Sequence, residues 1–273
     1  MRILLVSDHY PPFIGGAHRQ TQLLGQELTK RGHVVCVATV WHPGVPAQEE
    51  VAGVVVHRLK QLRTALPGAS MTPGQRHQPP YPDPITAWAL RRLINDFQPD
   101  VVHSYGWITY SAAAALLGKS IPLLVSARDY GYSCPTRTLL YNDKPCSGPE
   151  FTKCMACATQ HFGMTKGVVA TLSIFGGRRL LLRKTSGFHS VSRYVQEIIQ
   201  RDLVGKVARP IKTVRPWIWQ VISSFLIEEP GEAEPDLLRQ LPATPYILFV
   251  GGLQLRKGLG TLLAAYQQLV AQR

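Results

Sequence analysis

The sequence predicts an α/β protein with a doubly wound parallel sheet, followed by the beginning of a second α/β unit. Short apolar runs alternate with segments of helical periodicity, which is the pattern of strands connected by crossover helices. The runs are continuous, as in Arg2–Ser7, so the strands are expected to be covered on both faces. After residue 244 the pattern restarts, and it stops after one strand and one helix.

The elements follow in order from the apolar runs and the turn residues. The first helix begins near Ala17 and ends in a cationic turn before Gly32. Prolines and glycines over 60–84 predict a long mobile loop outside the core, and a cysteine-bearing loop is expected over 128–160. Further strands are expected over 33–39, 54–58, 100–104, 122–127, 187–192 and 211–214, and helices over 85–97, 107–117, 162–183 (with Gly176 and Gly177 as a weak point) and 193–200.

The chain is expected to divide into two α/β parts joined by a linker. Residues 1–216 form the first domain, and the acidic, proline-containing stretch 217–244 is the linker. Residues 245–273 then hold a strand over 246–250 and a helix over 257–270. One strand and one helix cannot close a core, so we expect the second domain to be incomplete in this sequence.

Composition excludes several classes of protein. Hydrophobic residues make up 45% of the 273 residues, which rules out disorder as the main state. Five cysteines are too few for a disulfide-built scaffold, and no apolar run reaches the roughly 18 residues of a membrane span. The N-terminus does not resemble a signal peptide, so we expect a cytoplasmic chain with reduced thiols. The net charge of +13 favours phosphorylated or polyanionic partners.

Two glycine-containing junctions are candidate anion sites. Gly15 and Gly16 join the first strand to the first helix, where backbone N–H groups and the helix dipole face a ligand. Gly251 and Gly252 follow the restarted strand, and Lys257 stands where the next helix begins. A lysine ammonium is a suitable charge for a phosphate. A plain tight turn and a solvated surface lysine remain the alternatives at these two junctions.

An ordered set of motifs resembles glycosyltransferase family 4. IGGA at 14–17 and GHVV at 32–35 resemble that family's glycine loop and second strand. PDVVH at 99–103 and FHSVS at 188–192 resemble two further strands of the same domain. ILFVGGL at 247–253, with Lys257 and Gly258, resembles the start of the family's second domain. The resemblance therefore runs in order through most of the chain.

The resemblance implies the GT-B architecture, in which two Rossmann-like domains face each other across a cleft. It implies transfer of a sugar, with retention, from a nucleotide-diphosphate sugar to a glycan or lipid-linked acceptor of the cell envelope or an exopolysaccharide. Gly15, Gly16 and Lys257 would then contact the donor diphosphate. No metal is required, because lysine and helix dipoles stabilise the charge on the departing diphosphate.

Several positions depart from the family pattern. Gly252 stands where the family usually has an arginine, so Arg256 is expected to substitute as a phosphate ligand. The pair Arg128 and Asp129 stands where a histidine often precedes the aspartate, and we take this pair as catalytic candidates. His103 and Tyr105 end a strand on the ligand side and are candidates for the acceptor side. For His103, a turn or capping role is the alternative.

The family's paired glutamates for the donor would lie beyond residue 273. We therefore expect residues 1–273 alone not to turn over, and measurable sugar transfer by that polypeptide would refute this expectation. A non-catalytic remnant that binds an acceptor or a partner is a second hypothesis. A basic, zinc-containing nucleic-acid-binding protein is a third, but the basic residues are scattered and no nucleic-acid motif is present, so no nucleic acid is expected.

Four cysteines form a candidate metal site. Cys154 and Cys157 are separated by two residues, the spacing that zinc sites use. Cys134 and Cys146 precede them within the same loop, and clustered thiols in a reducing compartment favour a structural zinc ion. An iron–sulfur cluster and plain free thiols remain alternatives. Cys36 is expected to be a small buried apolar residue.

A basic, leucine-rich stretch over 178–184 has two interpretations. It is typical of a helix that lies on an anionic membrane, which would place the protein at the inner membrane face. It is also typical of a helix with one buried and one charged face. His9 and His18 flank the glycine loop and are expected at the surface.

Overall fold

The structure is a computed structural model, and it describes residues 1–13, 16–65, 78–205, 217–224, 235–251 and 257–272. The chain divides into two compact units, Met1–Ile227 and Glu228–Arg273. The expected boundary was at residue 216, and the division into an acceptor and a donor domain stays a prediction. Among the described helices, none is long and apolar enough to cross a membrane.

The first unit is built on a mainly parallel eight-stranded sheet, which confirms the predicted fold class. The strand order is β10-β9-β6-β5-β1-β2-β4-β3, and only β3 pairs antiparallel, with β4. A separate two-stranded hairpin, β7–β8, lies in the cysteine loop. The strands are β1 Arg2–Ser7, β2 Val34–Val40, β3 Gln48–Val51, β4 Val54–Leu59, β5 Val101–Tyr105, β6 Leu123–Ala127, β7 Leu140–Tyr141, β8 Lys144–Pro145, β9 Thr185–Ser190 and β10 Ile218–Val221.

Helices connect the parallel strands. Asp83 begins α3 by accepting a hydrogen bond from the Thr86 amide at 2.9 Å, and Ser192 begins α7 in the same way from the Val195 amide at 3.2 Å. The helices of the first unit are α1 Gly16–Lys30, α2 Leu62–Ala65, α3 Pro84–Phe97, α4 Ile108–Ala115, α5 Phe151–Phe162, α6 Met164–Lys184 and α7 Arg193–Ile198, which continues into a π-helical turn over Ile199–Val204.

The sheet separates two apolar cores, as its continuous apolar strands predict. On one face, α1 packs through Leu24 and Leu28 against β1, β2 and β4. On the other face, α3, α4 and α6 form the larger core around residues such as Leu90, Ile108 and Ile174. Both faces of β1 are therefore covered, because Leu4 belongs to the larger core and Leu5 to the smaller one.

Several segments differ from the sequence-based expectation. The proline-rich stretch 60–84 includes the short helix α2 and the buried Asp83, so part of it belongs to the core. The helix expected over 162–183 continues through Gly176 and Gly177 without a break. β10 lies inside the predicted linker and pairs with β9. The strand expected over 211–214 lies outside the described residues.

The second unit forms helices but no strand in its described part. Its helices are α8 Pro235–Arg239 and α9 Leu259–Ala271, and none of the residues of α9 is buried. The strand predicted over 246–250 is not formed, and that prediction was wrong: Leu248 is 68% exposed and Val250 is 84% exposed. An isolated strand does not hold its backbone without a hydrogen-bonded neighbour, and the apolar run finds no such neighbour here.

Candidate functional site

The strand order places a candidate site between β1 and β5. The chain runs from β1 outward through β2 and β4, and then crosses back to β5 on the other side of β1. The connections after β1 and β5 therefore lead to helices on opposite faces of the sheet, an arrangement that predicts a ligand crevice at its carboxyl edge. Ligands of open α/β sheets bind at such a switch point. Asp8 follows β1, and Gly106 follows β5.

Asp8 links the two sides of this crevice. Its carboxylate accepts hydrogen bonds from the backbone amides of Trp107 at 3.0 Å and Ile108 at 2.7 Å, which are at the beginning of α4. An anionic side chain at this position satisfies free N–H groups and complements the helix dipole. Gly106 has φ +77°, and a Cβ atom there would lie 2.3 Å from Asp8 Oδ2. Glycine is therefore required at the end of β5.

The catalytic candidate Asp129 is held by an ion pair that the sequence did not reveal. Arg137 donates from Nε to Asp129 Oδ2 at 3.0 Å, and its Nη1 lies 3.8 Å from Asp8 Oδ2. The Gly131 amide donates to Asp129 Oδ1 at 2.8 Å. Burial disfavours the Arg137 charge, but the carboxylates of Asp129 and Asp8 raise its pKa. A single guanidinium thus connects the loops after β1 and β6.

Trp107 contacts both the loop that carries Asp129 and the Arg137 side chain. Its indole N–H donates to the Gly131 carbonyl oxygen at 2.7 Å, and the Arg137 guanidinium lies over the indole at 5.1 Å from the ring centroid. Such a contact adds cation–π attraction to the ion pair. The cluster of Asp8, Arg137, Asp129 and Trp107 is hereafter the switch-point cluster.

The loop before the glycine pair is anchored from the opposite side of β1. Arg58 on β4 donates to the Pro11 carbonyl oxygen at 2.9 Å, and it is paired with Glu49 on β3. The unexpected antiparallel hairpin β3–β4 therefore provides the support for this loop. His9 is only 6% exposed and its ring lies 4.9 Å from that of His18, so the expectation of a surface His9 was wrong.

A row of hydrogen-bonded polar side chains crosses the strands beside the crevice. His103 on β5 bonds through Nε2 to Ser126 Oγ on β6 at 2.7 Å. Ser126 Oγ bonds to His189 Nδ1 on β9 at 2.7 Å, and His189 Nε2 donates to the Ile222 carbonyl oxygen at 2.9 Å. This last bond assigns the proton of His189 to Nε2, because a carbonyl oxygen can only accept.

Burial keeps both histidines neutral. It lowers the pKa of His103 to about 3, with smaller contributions from His189 and Arg128, and it also lowers the pKa of His189. A neutral imidazole can both donate and accept, so it can complete a chain of hydrogen bonds. His103 is therefore part of a polar network and not only a turn residue.

Folding stability is expected to fall as the pH drops below about 6.5, because the unfolded chain then protonates histidines that the fold keeps neutral. Each such histidine contributes a slope of about 1.4 kcal/mol per pH unit. For His103 the window runs from the unfolded pKa of about 6.5 down to the folded pKa of about 3. Urea unfolding at a series of pH values measures the slope.

Two variants distinguish the effect of His103 protonation on stability from the effect of losing a hydrogen bond. His103→Gln is expected to flatten the pH dependence, whereas Ser126→Ala lowers stability at every pH and retains the slope, because both histidines remain. An unchanged slope in His103→Gln would show that this histidine does not govern the pH dependence.

The other predicted candidates at this edge, Arg128 and Tyr105, lie in contact. The Arg128 guanidinium lies 5.0 Å from the centroid of the Tyr105 ring, and burial lowers the pKa of Arg128 and raises that of Tyr105 to about 12. Among the described residues, Arg128 Nε is buried without a hydrogen-bond partner. Arg128 thus retains a donor for a ligand.

The predicted diphosphate ligands are only partly within the described residues. Gly15 and Arg256 lie outside them, as does Gly252. Gly16 begins α1 and is exposed, with no atom within 4 Å of an added Cβ. Lys257 is exposed in the second unit, two residues before α9 begins. The joint role of the two glycine junctions stays a prediction.

The four clustered cysteines lie together, but they are not arranged to hold a metal ion. Cys134, Cys146, Cys154 and Cys157 line one cavity of about 20 Å³. The Cys154 and Cys157 pair is on α5 and not in a loop as expected. In the described ranges, no group of three or more His, Cys, Asp or Glu side chains is arranged to hold a metal ion. Cys36 is 2% exposed and lies in the core, as predicted.

The basic stretch 178–184 is a helix with one buried and one charged face. Arg178, Leu181 and Leu182 are buried, whereas Arg179 and Arg183 are exposed.

No motif in the sequence marks Asp8 or Arg137 as a site residue. The only local signal for Asp8 is its place directly after a buried strand.

These features define a doubly wound α/β protein with a candidate ligand site at the carboxyl edge of its sheet. Residues 15–217 match the family described as glycosyl transferase 4-like domain, and the chain belongs to this family. The matched range includes Asp129, Arg137, His103 and the whole of α1. Comparison with curated protein sequences gives no match.

Solved structures match this chain at low sequence identity, and sucrose-phosphate synthase shares its fold. Sucrose-phosphate synthase from Thermosynechococcus elongatus superposes with a TM-score of 0.64 at 16% identity, over 98% of this chain and 59% of the synthase. The catalytic domain of starch synthase IV from Arabidopsis thaliana, bound to ADP and acarbose, gives a TM-score of 0.43 at 11% identity, over 80% of this chain and 51% of that one. The chain thus spans less than two thirds of these proteins.

Proposed function

We propose that this chain takes part in the transfer of a sugar, with retention at the anomeric carbon, from a nucleotide-diphosphate sugar to a glycan or lipid-linked acceptor. The switch-point cluster is the observation that carries the proposal. It brings Asp8, Arg137 and Asp129 to the carboxyl edge between β1 and β5, where a doubly wound sheet binds its ligands. Membership of the glycosyl transferase 4-like family supports the reaction class.

In this proposal Asp129 orients a sugar hydroxyl and does not act as a free base. Arg137 and the Gly131 amide hold its carboxylate, and the side chain remains 39% exposed. A carboxylate that is both charged and oriented accepts hydrogen bonds from hydroxyl groups without reorganisation during the reaction. Arg137 is then a positioning residue, since it acts through Asp129.

Arg128, Tyr105 and His103 are proposed to form the acceptor side. The buried Arg128 Nε has no partner among the described residues, so a ligand oxygen would satisfy it. The row from His103 to His189 fixes β5, β6 and β9 to one another. The Tyr105 ring contacts the Arg128 guanidinium through a cation–π interaction.

The donor diphosphate is proposed to bind through backbone and cationic groups. Gly15 and Gly16 supply N–H groups at the beginning of α1, and Lys257 with Arg256 supplies positive charge. Departure of a nucleoside diphosphate places negative charge on phosphate oxygens, which such groups stabilise. The transfer is therefore proposed to proceed without a metal ion.

A transfer assay with stereochemical readout tests the function. The protein at its natural length is incubated with UDP-, GDP-, ADP- and dTDP-sugars and with glycan and lipid acceptor fractions. We expect nucleoside diphosphate release with one donor and, by proton NMR, a product that has the anomeric configuration of the donor. An inverted product would contradict the proposal, as would the absence of both transfer and donor binding across the panel.

A matched pair of arginine variants tests the site within that assay. Arg128→Gln is expected to lower kcat/KM by about 100-fold, the typical effect of removing one well-placed donor. Arg92→Gln is the control, because Arg92 lies over Trp88 on the exposed side of α3. Equal activity of Arg128→Gln and the wild type would remove Arg128 from the site.

The helical hairpin formed by α5 and α6 supports a lipid-linked acceptor. Between Phe151 and Lys184 the chain has no acidic residue. At the turn between the helices Met164 is 73% exposed, and along α6 Leu172 is 52% exposed on the same helix as the exposed Arg179 and Arg183. Apolar side chains beside uncompensated cations are complementary to an anionic bilayer surface.

Vesicle co-sedimentation tests this contact. We expect the protein to bind phosphatidylcholine vesicles containing phosphatidylglycerol and not vesicles of phosphatidylcholine alone. The double change Met164→Gln and Leu172→Gln should weaken binding at least about threefold, since buried apolar area drives insertion. Trp88→Gln, at a residue 60% exposed on α3, is the control. Equal binding to vesicles with and without phosphatidylglycerol would contradict the contact, and so would equal binding of the double variant and the wild type.

A further inference from the structure

Two tyrosine rings meet beside the switch-point cluster. Tyr130 follows Asp129 in the loop after β6, and Tyr194 lies in the first turn of α7, which comes after β9. The strands β6 and β9 are neighbours in the sheet, so their carboxyl ends bring these two segments together. The ring centroids are 6.3 Å apart, and the rings are nearly perpendicular, at 89°. An aromatic pair thus lies along the carboxyl edge, on the side of the site toward β9.

One of the two rings is open to solvent. Tyr194 is 55% exposed, whereas Tyr130 is half-buried. Burial raises the pKa of Tyr130, and the nearby Tyr194 and Asp129 raise it further, so this ring lies close to both groups. A tyrosine presents a rigid apolar ring with a hydroxyl group at its end, and this combination suits a ligand that has both apolar and polar surface.

A fixed arginine lies about two helical turns further along the chain. Arg201 is in the π-helical turn after α7, and it donates from Nε to Asp202 Oδ1 at 2.7 Å and from Nη2 to Asp202 Oδ2 at 2.8 Å. This pairing is the main reason that the pKa of Arg201 is raised, and Tyr194 is near enough to contribute. The pair uses two of the three guanidinium nitrogens and the side chain is 49% exposed, so Nη1 is available to a ligand oxygen.

The carboxylate that holds Arg201 is itself completely buried. Asp202 is 0% exposed, and a charge at such a position is unfavourable unless it is paired. The cysteine loop approaches it at Gly148, where φ is +112° and an added Cβ would lie 2.6 Å from Asp202 Oδ1. A buried ion pair is a weak source of net stability, but it fixes one geometry for the guanidinium, which is what a ligand site requires.

The charges of this surface favour a neutral polar ligand over an anion. Each of its two arginines is already paired with an aspartate, Arg137 with Asp129 and Arg201 with Asp202. A pyranose ring has an apolar face of C–H groups and a rim of hydroxyl groups. The apolar face packs on an aromatic ring, and the hydroxyl groups accept from guanidinium N–H groups and donate to carboxylate oxygens.

We propose that Tyr130, Tyr194 and Arg201 form a subsite for a neutral pyranose ring of the acceptor glycan. The ring packs its C–H face on Tyr194, a hydroxyl group accepts from Arg201 Nη1, and Tyr130 closes the side toward Asp129. The sugar whose hydroxyl group Asp129 orients is the one that is extended, so this subsite binds the next sugar along the acceptor. The inference rests on the proposed function, because it assigns the bound sugar to the acceptor, but sugar binding itself requires no transfer.

Fluorine NMR of the full chain labelled with 3-fluorotyrosine tests binding without a nucleotide sugar. The probes are the methyl glycosides of glucose, galactose, mannose and N-acetylglucosamine, and inorganic phosphate is the anionic control. Tyr130→Phe, Tyr194→Phe and Tyr266→Phe assign the three resonances that matter. We expect at least one glycoside to shift the Tyr130 and Tyr194 resonances in a saturable manner. The Tyr266 resonance should not move, although Tyr266 is 51% exposed, because it lies in the second unit.

Kinetics with the acceptor that supports transfer measure the same contact. Tyr194→Ala is expected to raise the KM for the acceptor about tenfold and to leave kcat nearly unchanged, because the ring packs on the ligand and does not touch the reacting atoms. Tyr194→Phe retains the ring and should retain the KM, and Tyr266→Ala is the control of matched exposure. Arg201→Lys keeps a cation beside the buried Asp202, so it should fold like the wild type and still raise the KM, since a lysine lacks the fork geometry.

Failure of the subsite differs from failure of the proposed function. Transfer with an unchanged acceptor KM in Tyr194→Ala would overturn the subsite, as would the absence of saturable shifts with every glycoside. Equal shifts with inorganic phosphate would also overturn it, because they would indicate an anion site. Saturable glycoside shifts in a protein that transfers no sugar would support sugar binding at this surface and contradict the proposed function.

Discussion

Gly167→Ala is expected to be among the most destabilising single-methyl changes in the first unit. Gly167 lies where α6 crosses α5, and an added Cβ would be 2.4 Å from the backbone nitrogen and Cα of Thr159. Backbone atoms cannot move aside as a flexible side chain can, so the two helices must separate. Overpacking of this kind costs about 1–3 kcal/mol or more. Urea unfolding monitored by circular dichroism measures the loss.

Gly176→Ala is the matched control, because it places the same methyl group on the same helix. No atom lies within 4 Å of an added Cβ at Gly176. Alanine in a helix interior is more favourable than glycine by about 1 kcal/mol, so this variant should be as stable as the wild type or more stable. Equal stabilities of the two variants would contradict the close approach of α5 and α6.

Gly106→Ala is expected to disrupt the switch-point cluster. Its Cβ would lie 2.3 Å from Asp8 Oδ2 and 2.6 Å from Asp8 Cγ, so the carboxylate must leave the amides of Trp107 and Ile108. The left-handed backbone costs an alanine about 1–2 kcal/mol, and two uncapped amides add about 2 kcal/mol more. We therefore expect a loss of about 3–4 kcal/mol in the free energy of unfolding.

Gly118→Ala separates these two contributions. Gly118 has φ +76°, nearly the value of Gly106, but no atom lies within 4 Å of its added Cβ. Its variant should therefore lose only the backbone cost of about 1–2 kcal/mol. If the two alanine variants lose the same stability, Asp8 does not depend on the space that Gly106 leaves.

The sequence predicted the strands that contain an apolar run and missed β3, which has none. β1 and β2 are mostly apolar, and β5 and β6 begin with a pair of apolar residues, so all four were located within one or two residues. β3 reads Gln48-Glu49-Glu50-Val51, so no hydrophobic pattern marks it as a strand. It forms because Glu49 pairs with Arg58 across the hairpin, which is a tertiary contact that periodicity does not report.

Of the candidate site, the sequence could predict only the residues that come directly after a strand. Arg128 and Asp129 follow β6, and their place after a strand was visible in the sequence. Arg137 is eight residues away from Asp129 in a stretch without regular pattern, and its reach to Asp8 spans 129 residues of chain. The segment 246–250 shows that an apolar run is not sufficient for a strand. It has the predicted pattern, but it forms no strand because it has no pairing partner.

Hydrogen–deuterium exchange of the protein at its natural length, with and without a saturating nucleotide sugar and the acceptor that supports transfer, tests the central claim most directly. The claim is that substrates bind at the carboxyl edge of the sheet between β1 and β5. We predict slower exchange of the amides at 8–13, 106–108 and 128–132 on binding. Slower exchange confined to the amino edge, at 32–34 and 99–101, or no change in the first unit, would contradict it.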